Sequence, residues 1–510
     1  MSTPNERLAA SLDVLRRLQQ DGRRVFESGE FSRLHRKRLL QNGFLQEVMK
    51  GWLIFSGPGV REGDSTPWYA SFWEFCARYC EARFEREWRL SPEQSILLHA
   101  ENTVVPAQVV VHSPKGANNK IDLPFGASLY DLKDSRTPPA SDLTVRDGLR
   151  LFSPAAALVR VSESFIRRNP VETQVALASV ADASEILRRL LTGGHSVVAG
   201  RLAGAFRRIE RADVAEEILQ TMQAAGHDVR ENDPFAPEQP AGALPDAAPP
   251  IVSRLRAMWS ALRKDVLEAF PDPPGLPTDK GAYLGFVEDI YQSDAYHSLS
   301  IEGYRVSPAL IERVASGGWD PQDSEADRES RDALAARGYW QAFRLVQDDV
   351  VKIVSGAEPA DLVRKSHRAW YRELFQPCVV AGLINASALA GYRNEAVYLR
   401  TSRFVPPRWE VVRDAMGALF DLLEQEPEPG VRAVLGHWLF GYVHPYPDGN
   451  GRMARFLMNA MLASGGYPWT VIRVDGRTRY LTTLDSASIE QDIRPFARFV
   501  ADQVQRSGRR

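Results

Sequence analysis

The chain has 510 residues, 63 Lys+Arg against 65 Asp+Glu, 44% of them apolar and 25% charged, the balance of an ordinary globular protein of about three domains. A formal charge of -2 supplies no whole-protein field to draw nucleic acid or a membrane. The start lacks a basic-then-apolar signal peptide, and no apolar run approaches the roughly 18 residues of a spanning helix, so the expectation is a cytoplasmic protein with no membrane partner. Cys76, Cys80 and Cys378 are too few for a disulfide framework, and the first two read as helical neighbours in a core.

The first sixty residues carry ten Lys/Arg and six Asp/Glu, several of the positive charges clustering at Arg33, Arg36, Lys37 and Arg38. Leu8, Leu12, Leu15 and Leu18 recur at helical spacing, and Gly22 stops that helix. A second helical stretch, Phe31 to Leu40, ends at Gly43, and two apolar runs around Lys50-Gly51 between Phe44 and Phe55 read as a hairpin. Two helices followed by a hairpin predict a winged helix over residues 1–60.

Residues 61–230 hold a Trp/Phe-rich stretch (Trp68 to Trp88), alternating apolar residues from Thr103 to Val111 and a helical tail from Ala181 to Ala225, which together predict a mixed α/β domain with no catalytic constellation. The basic face of Gly200 to Arg211 reads as a solvated surface. Prolines at 234, 237, 240, 245, 249 and 250 mark a stiff connector, since each fixes φ and removes a donor, so 231–278 reads as a Pro-rich linker and connecting helix. From there the pattern is mainly helical, except near Tyr392 to Pro407, where Val397-Tyr398-Leu399 and Phe404-Val405 predict a small hairpin.

The sharpest signal is His444-Pro-Tyr-Pro-Asp-Gly-Asn-Gly-Arg-Met-Ala-Arg455, lying between two apolar helical runs. A loop that opens a helix offers unpaired N–H groups and the positive end of a dipole, and Gly449 and Gly451 let the backbone approach a phosphate. Arg452 and Arg455, three apart on the new helix, supply fork-shaped donors for phosphate oxygens. Asp448 is a hard carboxylate suited to Mg²⁺, which typically bridges protein and substrate phosphates. His444 can take a proton from an incoming hydroxyl near neutral pH, and Asn450 can donate to the same phosphate.

This string resembles the signature of the Fic family: His, any, Phe, any, Asp or Glu, Gly, Asn, Gly or Lys, Arg, any two, Arg. Tyr446 stands where Phe is usual, at a position that packs the loop. The resemblance implies an all-helical domain, about 279–505, that transfers AMP from ATP to a Ser, Thr or Tyr hydroxyl of a target protein, releasing pyrophosphate. It implies His444 as base, Asp448 as metal ligand, Asn450 and the glycine backbone as α-phosphate cradle, and Arg452 with Arg455 as outer clamp. Tyr296-His-Ser-Leu-Ser-Ile-Glu-Gly303 resembles the family's inhibitory motif, with Ser298, Glu302 and Gly303 in place on a helix over 283–303. A carboxylate paired with Arg455 would occupy the donor meant for the γ-phosphate, so the expectation is a resting enzyme of low activity.

The stretch 391–407 resembles the family's flap, whose edge strand registers a target segment through Val397, Tyr398, Leu399 and Arg400. Tyr480 is expected near the nucleotide base. Ser488 stands where Asn is expected, which bears on preference for ATP. His367 and His437, inside helical patterns, read as structural.

The N-terminal half resembles the winged-helix organisation of abortive-infection type antitoxins, so Arg33, Arg36, Lys37 and Arg38 are the expected DNA contacts. The fold expected is therefore multidomain: a winged helix, a mixed α/β middle domain and a mainly α Fic domain with a β-hairpin flap. Its partners are ATP, Mg²⁺, a protein substrate and DNA through the N-terminal domain, and the resemblance allows a homodimer. The alternatives are a DNA-binding regulator or antitoxin-like protein using the Fic domain as nucleotide sensor, and a Fic enzyme that removes AMP or transfers another phosphate-linked group.

Overall fold

Thr3 and Glu6 close a capping box on the first helix, α1 (Pro4–Leu18), each side chain accepting the other's backbone N–H. The computed structural model describes residues 3–61, 63–236, 240, 244, 248–317 and 331–508. The chain divides into two units, Met1–Pro250 with Tyr398–Val405, and Ile251–Val397 with Pro406–Arg510.

In the first unit α1 and α2 (Arg33–Gln41) accompany an antiparallel sheet ordered β1-β3-β2, formed by β1 (Val25–Glu27), β2 (Leu45–Met49) and β3 (Trp52–Phe55). Leu15, Phe26, Phe31, Leu39, Leu45 and Leu53 make its core. The two helices and the hairpin fall where the sequence pattern puts them. Strand β1 was not anticipated, because three residues are too short to show an alternation.

Next come α3 (Thr66–Phe84), β4 (Arg89–Leu90), α4 (Pro92–His99), β5 (Gln108–Ser113), β6 (Asn119–Asp122) and β7 (Ser128–Lys133), the strands ordered β4-β5-β7-β6 with β5 and β7 parallel. Val109 and Val111 turn one face of β5 onto Trp68, Phe72, Phe75, Cys76 and Cys80. Both cysteines are fully buried, as expected, and burial pushes their thiol pKa values up. A hairpin, β8 (Leu143–Arg146) and β9 (Leu149–Phe152), leads into helices α5 (Pro154–Arg160), α6 (Glu163–Arg168), α7 (Pro170–Ala178), α8 (Ala183–Gly193), α9 (Ser196–Arg208) and α10 (Ala212–Ala224). The basic face of α9 is solvated and paired, Arg207 Nε donating to Glu231 at 2.6 Å. Of the linker prolines, Pro237 and Pro245 lie outside the described residues.

The second unit is helical: α11 (Pro250–Ala269), α12 (Lys280–Ile301), α13 (Pro308–Ala315), α14 (Arg331–Val354), α15 (Pro359–Val380), α16 (Val412–Gln425), α17 (Pro429–Val443), α18 (Asn450–Ala463), α19 (Arg477–Ile489) and α20 (Arg494–Ser507). Helix α17 is apolar and buried on nearly every face, as a central helix must be. Helix α11 is packed rather than a free connector. Arg254 Nε donates to the Tyr442 hydroxyl at 2.9 Å, and Trp259 and Arg263 both donate to the Glu426 carboxylate.

The expected flap hairpin is absent: no strand is assigned between residues 391 and 407. Several of its backbone groups are engaged elsewhere. The Arg403 carbonyl accepts from the Val105 N–H at 2.8 Å, the Phe404 N–H donates to Ser402 Oγ, and Thr401 bends the chain at φ 64°. Pro406 and Pro407 have no N–H to give.

Candidate functional site

The turn between α17 and α18 is built on two left-handed residues. His444 caps α17 at φ 51° and ψ 59°, and Gly449 caps the start of α18 at φ 80°. A Cβ on Gly449 would also lie 2.6 Å from Phe375, so only glycine fits there. Between them Asn450 closes the loop like a staple, Oδ1 accepting the Tyr446 N–H at 2.9 Å and Nδ2 donating to the Tyr446 carbonyl at 2.7 Å. Both ends of the Asn450 amide hold the loop, and one of the two Nδ2 hydrogens is left over by these bonds. Tyr446 is fully buried and stacks on Tyr371 with ring centroids 3.8 Å apart, the packing role expected of that position.

His444 Nδ1 lies 3.2 Å from the Gly441 carbonyl. A carbonyl can only accept, so Nδ1 carries the hydrogen and Nε2 keeps its lone pair. Burial pulls the imidazole pKa down to about 4, the Gly441 hydrogen bond opposing and the Arg393 charge reinforcing, so a neutral base is in place at pH 7.

Arg393 is the residue the sequence reading missed. Buried in the structure, it donates from Nε to the His444 carbonyl at 2.7 Å, from Nη1 to the Glu395 carbonyl at 2.9 Å, and from Nη2 to the carbonyls of Val443 and Pro407. Its own N–H donates to the Pro445 carbonyl at 2.8 Å. One guanidinium thus ties the 391–407 stretch to the turn that carries His444.

Arg452 and Arg455 point inward from the first turns of α18 and are 1% and 3% exposed. The Arg452 guanidinium lies between the rings of Tyr304 and Phe375, 5.2 and 5.0 Å from their centroids. Its Nε and Nη2 have no hydrogen-bond partner, nor does Arg455 Nη1. Three buried guanidinium nitrogens without a hydrogen bond, one of them within ion-pair distance of Asp448, stand beside a helix N-terminus and form a donor set that fits phosphate oxygens.

The rest of Arg455 is engaged by α12. Nε donates to Ser298 Oγ at 2.8 Å, and Nη2 donates to the Ser298 carbonyl at 3.1 Å and to Glu302 Oε1 at 2.7 Å. Burial would raise the Glu302 carboxyl pKa, but Arg455 and Arg452 outweigh it and hold it below the usual range. Gly303, at φ 88°, ends the helix just beyond. Glu302 Oε1 would stand 2.3 Å from a Cβ on Gly451, so the carboxylate lies directly against the first turn of α18.

Asp448 lies at the loop edge, 60% exposed, with Oδ1 accepting the Gly449 N–H at 2.6 Å and 3.5 Å from Arg452 Nη2. A single exposed carboxylate fits Mg²⁺ when phosphate oxygens and water complete the shell. Among the described residues no three His, Cys, Asp or Glu side chains cluster to hold a metal by themselves.

Other expected site residues lie elsewhere. Tyr480 is 2% exposed, its ring among Phe496 and Phe499 and its hydroxyl 2.8 Å from His437 Nε2 and beside Arg455, so it backs the arginine from the core. Ser488 Oγ accepts from Trp438 Nε1 at 3.1 Å. His367 and His437 are buried, the structural roles expected. Val397 is half-buried in the second unit. Tyr398, Leu399 and Arg400 group with the first unit, where Arg400 Nε pairs with Asp64 at 3.2 Å, which corrects the edge-strand role. On α2, Arg33 and Lys37 are exposed, while Arg36 and Arg38 donate to the carbonyls of Ser28 and Arg7.

These contacts define a helical unit with two buried arginines at a helix start, one of them paired with a carboxylate of its own chain. Residues 359–462 match the Fic/DOC family, and the chain carries a Fic domain. It is similar to a "Protein adenylyltransferase Fic" of Nematostella vectensis, 30% identical over 227 residues that cover 43% of this chain and 48% of that protein. It is also similar to "Protein adenylyltransferase fic-1" of Caenorhabditis elegans, 27% identical over 225 residues that cover 43% and 41%. The matches therefore take in under half the length of these relatives. A solved structure of residues 134–508 of Fic-1 from C. elegans is 18% identical and covers 66% of this chain and 96% of that one at a TM-score of 0.37, a likeness too weak to define the fold. No described helix is long and apolar enough to cross a membrane.

Proposed function

We propose that this chain is a protein adenylyltransferase that moves AMP from ATP to a Ser, Thr or Tyr hydroxyl of a target protein and is held shut by Glu302. The observation that carries the reading is the Glu302 carboxylate lying on Gly451 and Arg455, where a phosphate would otherwise find its donors. The adenylyltransferase names of the relatives support the choice of reaction.

In this reading His444 Nε2 takes the proton of the target hydroxyl as its oxygen forms a bond to the α-phosphorus. The bond from that phosphorus to the bridging oxygen breaks, and pyrophosphate leaves. Arg452, Arg455 and the α18 N-terminus hold phosphate oxygens, and Asn450 keeps the loop in shape for them. Asp448 would hold Mg²⁺, which when bound neutralises phosphate charge.

The test uses ATP labelled either at the α- or at the γ-phosphate, with Glu302→Gly and with Glu302→Gly/His444→Ala. AMP transfer labels protein from the α-position alone and stops in the double variant. Label from the γ-position overturns the reading, and so does α-label that survives loss of His444.

A second role is proposed for the first sixty residues. Arg33 and Lys37 stand four apart on an exposed helix face beside Leu34, itself 64% exposed, which supports a winged-helix module that meets DNA or a partner there. Salt-dependent binding of duplex DNA that weakens in Arg33→Ala/Lys37→Ala supports DNA, and binding indifferent to both residues excludes it.

A further inference from the structure

The first unit contains a cavity of about 1130 Å³ that the transfer reaction does not use. Its floor is the second face of the mixed sheet. Alternation along β5 sends Val109 and Val111 into the core, and Gln108, Val110 and His112 into the cavity. Arg89, opposite His112 in the β4–β5 register, also faces it. The walls come from the 134–142 loop and from α5 and α8.

Five arginines line this space, Arg89, Arg136, Arg160, Arg188 and Arg189, against the carboxylates of Glu93, Asp134 and Asp142, so its lining is net positive before His112 and His195 are counted. Two of the carboxylates act as organisers. Asp134 Oδ2 accepts from Arg89 Nη2 at 2.7 Å and lies 3.1 Å from His112 Nδ1, while its Oδ1 accepts from Arg136 Nε at 3.0 Å. Asp142 accepts from Arg160 at 2.5 Å and from Arg189 at 2.7 Å. Cations fixed by buried carboxylates are oriented in advance, and those carboxylates do not cancel all of them.

Two observations point to a ligand rather than to a purely structural network. Arg89 is 6% exposed, yet its Nε is buried with no hydrogen-bond partner. The guanidinium of Arg188, exposed at the wall, makes no hydrogen bond or ion pair, although three carboxylates line the same cavity. Beside these cations Val110, Leu97, Phe152 and Val198 give an apolar surface, and the guanidinium groups of Arg89 and Arg160 lie 5.7 and 4.9 Å from the Phe152 ring centroid. Guanidinium donors suit phosphate, and an apolar, aromatic floor suits a flat heterocycle.

We propose that this cavity is a nucleotide-binding site, separate from the Fic domain, in which Arg89, Arg188 and Arg136 meet the phosphates and the Phe152 side meets the base. It would give the first unit a small-molecule input of its own.

The test is hydrogen exchange on the full chain with ADP, GDP or inorganic pyrophosphate at millimolar concentration, read in segments 89–94, 134–142 and 186–195. The site predicts slower exchange there with a nucleotide, more than with pyrophosphate, and an affinity about tenfold weaker in Arg188→Ala, an exposed position whose loss leaves the fold alone. A companion variant, Arg89→Met, removes the buried donor. Unchanged exchange in those segments with all three probes overturns the proposal, and so does protection that Arg188→Ala leaves intact. Protection by pyrophosphate equal to that by nucleotides overturns the assignment of the base. Protection by a glutamate-rich peptide alone shows an acidic-peptide site instead.

Discussion

Glu302 Oε1 is 2.7 Å from Arg455 Nη2 and so close to Gly451 that a single methyl group there would collide with it. Gly451 therefore lets the chain's own carboxylate rest on the helix start, and in the proposed reaction the same bare surface would receive a phosphate. Ser298 holds the same arginine from one turn earlier on α12, which orients the guanidinium independently of Glu302.

Arg393 fixes the turn that presents His444, so its loss should act on turnover more than on nucleotide binding. Arg393→Lys keeps the charge and loses the fork. In a Glu302→Gly background kcat should fall about tenfold with KM for ATP within about twofold, and stability should drop by about 2–3 kcal/mol in urea unfolding. An equal rise in KM for ATP would place Arg393 at the nucleotide instead.

The pKa of His444, drawn down to about 4, sets the acid limb of the reaction. In Glu302→Gly the transfer rate should stay level from pH 8 to about pH 5 and fall only below that, whereas a solvent-exposed histidine would begin to lose activity near 6.5. Removing Glu302 deletes a negative charge that favours the imidazolium, so the limb moves further down, not up.

Stability should follow the same histidines. Burial lowers His367 and His444 to about 4 and His437 to about 3, all below the ordinary value of 6.5. Between those values the unfolded chain binds more protons, so their contribution is complete above pH 6.5 and is lost as pH falls towards 4. Asp294, raised by burial to about 6, opposes this, since its contribution is present below 3.8 and lost as pH rises through 6. At pH 5 the unfolded chain gains roughly two protons net, and hydrogen exchange of α17 should be faster at pH 5 than at pH 7 once corrected for intrinsic rates. A slower corrected rate at pH 5 would contradict this balance.

Tyr446 carries a hydroxyl that is buried without a partner. Tyr446→Phe keeps the stack on Tyr371 and removes the unsatisfied group, so it should leave transfer unchanged and stabilise by about 1 kcal/mol, read as a rise in thermal midpoint. A loss of stability would mean that the hydroxyl is bonded in solution.

The 444–455 string was legible because its chemistry is local: a glycine where the backbone turns left-handed, a helix start, arginines on its inner face. Arg393 was not, since it bonds to main-chain carbonyls, those of Val443 and His444 about fifty residues away, and carbonyls leave no mark in a sequence. Tyr480 and Asn450 show the same limit from the other side: no pattern in the sequence foretells that the tyrosine hydroxyl meets His437 or that the amide closes the loop on Tyr446. Val397 to Val405 resembled a hairpin, yet strand pairing depends on free donors and acceptors, and in this stretch the Phe404 N–H is taken by Ser402, two prolines bring no donor, and the Arg403 carbonyl accepts from Val105.

Label transfer from α-labelled ATP by Glu302→Gly against the wild type, at equal protein and Mg²⁺, tests the central claim most directly. The account predicts at least a tenfold rise in initial rate, because Arg455 and the α18 N-terminus lose the carboxylate that covers them. A rate equal to or below that of the wild type would show that Glu302 does not hold the site shut.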